Sequence, residues 1–405
     1  MRTMFISLVS YILFCACSIV GNYFDERVVC FLKENTVYTM NADIDLKGKE
    51  LLLPKGVTLQ CSKGCFRNGT IIGNDTKILG STELFDDVLI SGTWNVPEIT
   101  TSFFRDFSED NTLLNLFKLT NSKVHNKVII KEGDYYVTAP KNGIILELNS
   151  NTDIQLDGNI ILRPNDLSYY AILFVRRVEN IIISGVGSII GDKNRHQGKD
   201  GEWGMGVHIA DSKNVSIIGI KISDCWGDCI CVGNNSSNIR IDSCLLENGR
   251  RQGISVSAAT KVVISNCLIK NIFGTAPEYA IDIEPNKREV AKDIIVKDVT
   301  VEDCAGGLMV YGRATGAIVT NVSFEGCHIA GRITKTPISL IVAEDIRIIN
   351  CESLVSTSKM IEAEDISDLR VEGNSFISSA GDPINLINCT SFFLSNNFHN
   401  KKRIN

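Results

Sequence analysis

A short pattern returns seven times between Asn214 and Val371, and its spacing admits very few folds. Each copy opens on Asn, Asp or Lys and usually continues apolar-polar-apolar. The copies are Asn214-Val215-Ser216-Ile217, Asn238-Ile239-Arg240-Ile241, Lys261-Val262-Val263-Ile264, Asp293-Ile294-Ile295-Val296, Asn321-Val322-Ser323-Phe324, Asp345-Ile346-Arg347-Ile348 and Asp368-Leu369-Arg370-Val371. Consecutive copies start 24, 23, 32, 28, 24 and 23 residues apart. One unit therefore makes one coil of a solenoid, with extra residues looped out of the two longer ones.

A second strand belongs to each coil. Val207-His208-Ile209, Ile230-Cys231-Val232, Ile254-Ser255-Val256, Ile281-Asp282-Ile283 and Leu308-Met309-Val310 share one register. Alternation turns the branched residues inward and the residues between them outward. Parallel strands that pair with the coils above and below satisfy this pattern. A β-propeller does not, because its blades need about 40–45 residues each.

Cysteine follows the same repeat. Cys244, Cys267, Cys327 and Cys351 each stand six positions after a segment start, and Asn374 takes that place in the last coil. Stacking puts equivalent positions about 4.8 Å apart. The chain has 14 Cys, but a ladder of this kind reads as small hydrophobes filling a core rather than as a disulfide framework. Cys61 and Cys65, outside the ladder, are the one local pair spaced for a bridge.

Composition agrees with many short strands and tight turns. Of the 405 residues 44% are hydrophobic, only 8 are Pro, and the net charge of −6 disfavours a nucleic-acid partner. Arg2 followed by the apolar run Met4 to Val20, with Ala16, Ser18 and Gly21 as small residues for cleavage, reads as an export signal. Cys17 offers a lipoprotein route, although Phe14 stands where a lipobox usually has Leu. No later stretch reaches the roughly 20 apolar residues of a spanning helix, so no integral membrane segment is expected after signal removal. The expected location is secreted, periplasmic or at the cell surface.

The first half reads as the same solenoid with decoration. A short helix is predicted over Asp110 to Leu119, followed by Val128-Ile129-Ile130-Lys131-Glu132-Gly133-Asp134-Tyr135-Tyr136-Val137. This helix and its V-x-I-x-x-G-x-Y-x-V strand resemble the opening segment of the pectate-lyase-like superfamily. The resemblance implies a single-stranded right-handed parallel β-helix, all-β, with the helix capping one end. Some cap is physically required, since a bare end exposes strand edges and core. The expected organisation is a signal over 1–21, N-terminal coils and cap over 22–125, β-helix over 126–390 and a polar tail over 391–405 that covers the far end.

Candidate chemistry lies on the outward rows of the second strand set. One row reads His208, Cys231, Ser255, Asp282, Met309, and its neighbour reads Ala210, Gly233, Ser257, Glu284, Tyr311. Asp282 and Glu284 are two apart on one strand, hence about 6.6 Å apart at Cα on one face. Two carboxylates in a partly dry groove raise one another's pKa, which is what a general acid needs. Asp228, Arg250 and Arg251 are expected nearby from earlier coils. Glu278, Tyr279 and Asn286 flank the pair in sequence, and Arg313 follows in the next coil. The loop Asp192 to Trp203 would bring Trp203 to the face as a stacking surface for a sugar ring.

The stretch Trp226-Gly227-Asp228-Cys229-Ile230-Cys231-Val232-Gly233, then Asn238-Ile239-Arg240-Ile241, then Gln252-Gly253-Ile254-Ser255-Val256, resembles the centre of the polygalacturonase family. That family carries G-D-D-C-I-A-I-G, N-I-x-I and G-H-G-I-S-I. Asp228 matches the second Asp of its pair, while Gly227 replaces the first and Gln252 stands in place of the His. The family's R-I-K falls on Asp282-Ile283-Glu284 with both charges reversed, and Met205 falls where its N-T-D motif belongs. The similarity covers about 50 residues, from Trp226 onward. Arg250 to Ser255, Gly274-Thr275-Ala276-Pro277 and Ile281 to Asn286 also resemble bacterial and phage β-helix proteins associated with polysaccharides.

Three functions remain open at this point, all with a polysaccharide or oligosaccharide partner. In a glycoside hydrolase, Asp282 and Glu284 supply acid and base or nucleophile with help from Asp228, and Arg251, Arg313, Tyr311 and Trp203 position the sugar; no cofactor is needed. In a uronate lyase, Asp228, Asp282 and Glu284 hold Ca²⁺, and Arg251, Lys287 or Tyr311 takes the proton. In a glycan-binding solenoid or adhesin there is no chemistry. Each residue also has a purely structural reading. The acids pair with Arg251 and Arg313, Asp228 caps its turn, and Arg250 and Arg251 bind either a sugar anion or neighbouring acids.

Overall fold

The computed structural model describes residues 23–24, 32–80, 83–105, 111–357, 359–377 and 381–405. The export-signal reading, over residues 1–21, lies outside them. Among the described residues no helix is long and apolar enough to cross a membrane.

Each repeating coil has three strands. In one coil these are Ile230–Gly233, Ser236–Asp242 and Leu245–Glu247. The first two sets line up in a 20-stranded sheet and the third in a 12-stranded sheet. Pairing along the axis is parallel and in register: Ile230 faces Ile254, then Ile281, Leu308, Ile338, Ile361 and Ile384. All seven are buried. A one-residue slip would turn this ladder outward, so the apolar alternation itself fixes the register. The short third strand escapes a two-part reading of the repeat because in the later coils a copy spans three residues with one apolar side chain turned inward, such as Leu246, Ile269 or Val301.

The recurring Asn or Asp at each segment start has a backbone cause. Asn214, Asn238, Lys261, Asp293, Asn321, Asp345 and Asp368 all have φ between 54° and 58°, the left-handed region that Asn and Asp tolerate best. Their side chains stack as well: the Asn238 amide donates to Asn214 Oδ1 at 3.0 Å, and that of Asn321 donates to Asp293 Oδ1 at 2.7 Å.

Cys244, Cys267, Cys327 and Cys351 are free buried thiols, as a core-filling ladder requires. Asn374 and Asn397 continue their row. The Asn374 amide donates to Asn397 Oδ1 at 2.8 Å and to Ile348 O at 2.9 Å, so these buried polar groups are satisfied. Cys65 is likewise a free buried thiol.

The helix forms over Asn111–Lys118 and packs between the strand Phe85–Trp94 and the first coils of the long solenoid. Leu113, Leu116 and Phe117 are buried beneath it, and Asn115 both accepts from Ile90 N and donates to Val88 O. One side chain thus satisfies a strand edge at the end of the coils. Beyond it, a 7-stranded parallel sheet holds the N-terminal strands. At the far end Thr390–Ser395 adds another parallel rung, and Phe398–His399 turns back antiparallel on Lys402–Arg403. The tail there presents Phe392 and Phe393 about half exposed as well as its basic run.

Candidate functional site

The outward row is observed as expected: Phe174, His208, Cys231, Ser255, Asp282, Met309, Ser339 and Glu362 are neighbours along the axis. Its members are not freely exposed, however. Asp282 is 1% accessible and Asp228 also 1%. Side chains of the stacked turns pack against them, Gln252 on Asp282 and Arg251 and Ser255 on Asp228.

The turns before two successive strands, and the strand that follows them, build the site. Asp228 precedes Ile230–Gly233, Arg251 and Gln252 precede Ile254–Val256, and Asp282 lies within Tyr279–Ile283. Backbone hydrogen bonds from Arg251 N to Gly227 O and from Cys229 N to Gln252 O lock the first two turns in stack. Gln252 then bridges to the third. Its Oε1 accepts from Tyr279 N at 2.9 Å and its Nε2 donates to Asp282 Oδ2 at 2.6 Å. Asp282 Oδ1 has no hydrogen-bond partner.

Arg251 is the cation of the cluster. One terminal nitrogen donates to both Asp228 oxygens, at 3.4 and 3.3 Å, and Ser255 Oγ adds a 2.7 Å bond to Asp228 Oδ2. The other terminal nitrogen is 3.9 Å from Glu284, and Nε is 3.8 Å from Glu202. Four carboxylates therefore surround one guanidinium. Burial pushes the Asp282 carboxyl well above the usual range, and the neighbouring Glu284 pushes the same way. Burial raises Asp228 too, opposed by Arg251. Burial disfavours the Arg251 charge, but Asp228, Asp282 and Glu202 outweigh it and its pKa is raised.

Several expected members stand elsewhere. Arg313 pairs with Glu364 at 2.5 Å instead of with Asp282 or Glu284. Arg250 lies over the Trp226 ring at 3.7 Å and donates to Gly201 O and Trp226 O, so it is no anion clamp. Glu278 is tied to Lys335 and to Gly274 N, and Asn286 to Glu289. Tyr279 is buried, and burial lifts its phenol to about 12, which suits a packing role. Tyr311 sits half-buried in the row beside Asp282's, followed along the axis by Ile341 and then Glu364. Trp203 is half exposed at the start of its strand.

Glu202, Gln252 and Ser255 complete the cluster without having been predicted as site residues. Gln252 had a signal, the family position where His is usual. Glu202 had none, because it lies in an aperiodic loop. That loop is held by a buried network. Asp192 accepts from Tyr170 Oη at 2.8 Å, from Asn165 N at 3.0 Å, and pairs with His196 at 2.9 Å. His196 stacks on Trp226 with centroids 4.0 Å apart, opposite Arg250. This sandwich anchors the segment that delivers Glu202 and Trp203.

Residues 176–324 match the family model described as a right handed beta helix region. The SPbeta prophage-derived protein YorA of Bacillus subtilis is 29% identical over 188 residues, 41% of this chain and 32% of YorA. The chain spans about a third of the length of the curated relatives it matches. Among solved structures, a tailspike protein of E. coli bacteriophage HK620 in complex with a pentasaccharide superposes with a TM-score of 0.52 at 16% identity, covering 76% of this chain and 64% of that one. The exopolygalacturonase of Thermotoga maritima gives 0.50 at 14%, covering 76% and 92%. Strand pairing, family match and structural likeness agree, and the chain is a right-handed parallel β-helix.

Proposed function

We propose that this chain is an exported carbohydrate-active enzyme, a glycoside hydrolase that uses the carboxylates of the coil face. The observation that carries the reading is Asp282: a buried carboxyl beside Glu284, with one oxygen bonded to Gln252, the other unpartnered, and its pKa pushed up by burial. A protonated acid of this kind donates to the leaving glycosidic oxygen. Glu284, reached by solvent, then acts as base or nucleophile, and Arg251 stabilises the negative charge left behind. Trp203 supplies an apolar platform for a sugar ring. The hydrolase and oligosaccharide-bound proteins sharing the fold agree with this reading, as does the Arg2 to Val20 stretch with export.

A Ca²⁺-dependent lyase fits the donor set less well. Arg251 already sits among the acids where a cation would go, and both Asp228 oxygens accept from it. Among the described residues no three His, Cys, Asp or Glu are grouped as metal ligands.

The test incubates the purified chain and its Asp282→Asn and Glu284→Gln variants with neutral and acidic polysaccharides, following reducing ends and ultraviolet absorbance. New reducing ends from the parent alone support the hydrolase. An absorbing unsaturated product points to a lyase, and equal cleavage by all three removes these residues from the mechanism. No product anywhere leaves a binding solenoid.

A further inference from the structure

The charge around the site selects its substrate. Glu202, Asp228, Asp282 and Glu284 face a single guanidinium, and Arg251 is already committed to Asp228. Further along the axis the same face carries acids that are each matched by a cation. Glu362 lies in the Asp282 row and Glu364 in the Tyr311 row. Three cations on this face are already paired: Lys359 is 2.9 Å from Glu362, Arg313 2.5 Å from Glu364, and Lys335 2.9 Å from Glu278. Arg250, the remaining guanidinium near the cluster, is held by two carbonyls and the Trp226 ring.

Two atoms in the cluster point to a ligand independently of charge. Asp282 Oδ1 and Arg251 Nε are buried without hydrogen-bond partners. They are an acceptor or acid and a donor, the pair that a sugar hydroxyl and a glycosidic oxygen satisfy. A uronate, sulfate or phosphate placed on them would instead bring a further negative charge among the carboxylates of this partly buried cluster.

We infer that the site takes a neutral glycan, whose sugars bear hydroxyl groups but no uronate, sulfate or phosphate at the bond that is cut. This rests on the hydrolase reading for the chemistry, but its recognition half stands alone. Specificity here comes from repulsion of the wrong substrate as much as from attraction of the right one.

Affinity electrophoresis of the full chain separates the two. Gels carry either a neutral polymer (dextran, arabinogalactan or galactomannan) or polygalacturonate or alginate, and reducing-end assays run in parallel. The expected result is retardation by at least one neutral polymer and none by the uronates. The Glu202→Gln, Glu284→Gln double variant should gain at least 10-fold in affinity for uronate oligomers. Retardation by a uronate polymer that Asp282→Asn alters, or by no neutral polymer, overturns the inference. Retardation by a neutral polymer without cleavage leaves the inference standing and sinks the hydrolase reading. Cleavage of a uronate polymer, lost in Asp282→Asn, does the reverse.

Discussion

Gln252 Nε2 lies 2.6 Å from Asp282 Oδ2 while its Oε1 accepts from Tyr279 N, so one fully buried amide joins consecutive coils and aims the acid. Gln252→Leu removes both bonds and leaves a buried N–H and a carboxyl oxygen unpaired. At roughly 1–3 kcal/mol for each such group, the variant is expected to lose several kcal/mol of stability, read from urea unfolding. Gln252→Glu keeps the acceptor but sets a carboxyl against Asp282, and should lose activity more than stability. Equal urea midpoints for the Gln252→Leu variant and the parent would show that the bridge does not hold the coils together.

Asp282→Asn separates function from stability. Glycan cleavage is expected to fall by about 10²–10⁴-fold, the usual range for a general acid. Stability should behave differently. The folded pKa of Asp282 is raised above its unfolded value, so its contribution is intact below about pH 3.9 and is lost as pH rises towards the folded pKa. Asn has no such slope. The variant should therefore gain on the parent as pH rises, and urea midpoints at pH 4.5 and pH 8 measure the difference.

Arg251→Met tests the cluster from the other side. Asp228 is left buried with only Ser255 for a partner, and breaking a buried pair in this way costs roughly 3–5 kcal/mol. Adding Asp228→Asn should restore most of the loss. If the single variant loses less than about 1 kcal/mol, in the range of an exposed pair, the ion pair is not what stabilises these turns.

His208 gives a pH dependence of opposite sign. Burial, and then Arg176, lower its pKa to about 4. It folds neutral, so its contribution is present above about pH 6.5 and is lost as pH falls to about 4. The loss is on the order of 3 kcal/mol at 1.36 kcal/mol per unit. His208→Gln should flatten the parent's stability profile between pH 6.5 and pH 4, and an unchanged slope would assign that slope to other groups.

What was legible in the chain follows from how each feature is encoded. The Ile230 ladder and the outward Asp282 row were readable because a strand has a period of two and the coil a nearly constant length. The cysteine ladder was readable for the same reason. Contacts between side chains of different coils were not. Arg313 bonds Glu364, two rungs on, and nothing in the repeat chooses that partner over Glu284. Glu202 reaches Arg251 only because Asp192, His196 and Trp226 fold its loop against the coils. Asp282's burial was also hidden, since an outward position on a strand says nothing about side chains from neighbouring coils, such as Gln252, that pack against it.

The turn ladder offers a stabilising substitution. Lys261 is the one member of that row, from Asn214 to Asp368, that is neither Asn nor Asp, yet its φ is 56°. Its neighbours along the axis are fixed by pairing: Ser237 and Ile239 face Thr260 and Val262, which face Lys292 and Ile294, so Lys261 stands between Asn238 and Asp293. Lys261→Asn would place an amide where it can donate to Asn238 Oδ1, continuing the bond that Asn238 makes to Asn214. It would also relieve a long side chain of the left-handed conformation. Together these are worth roughly 1–2 kcal/mol. Lys261→Ala removes the same side chain without supplying the amide or the tolerance for that φ, and should be neutral or worse. A higher urea midpoint for the Asn variant alone assigns the gain to the ladder, whereas equal midpoints for the two variants would sink the idea.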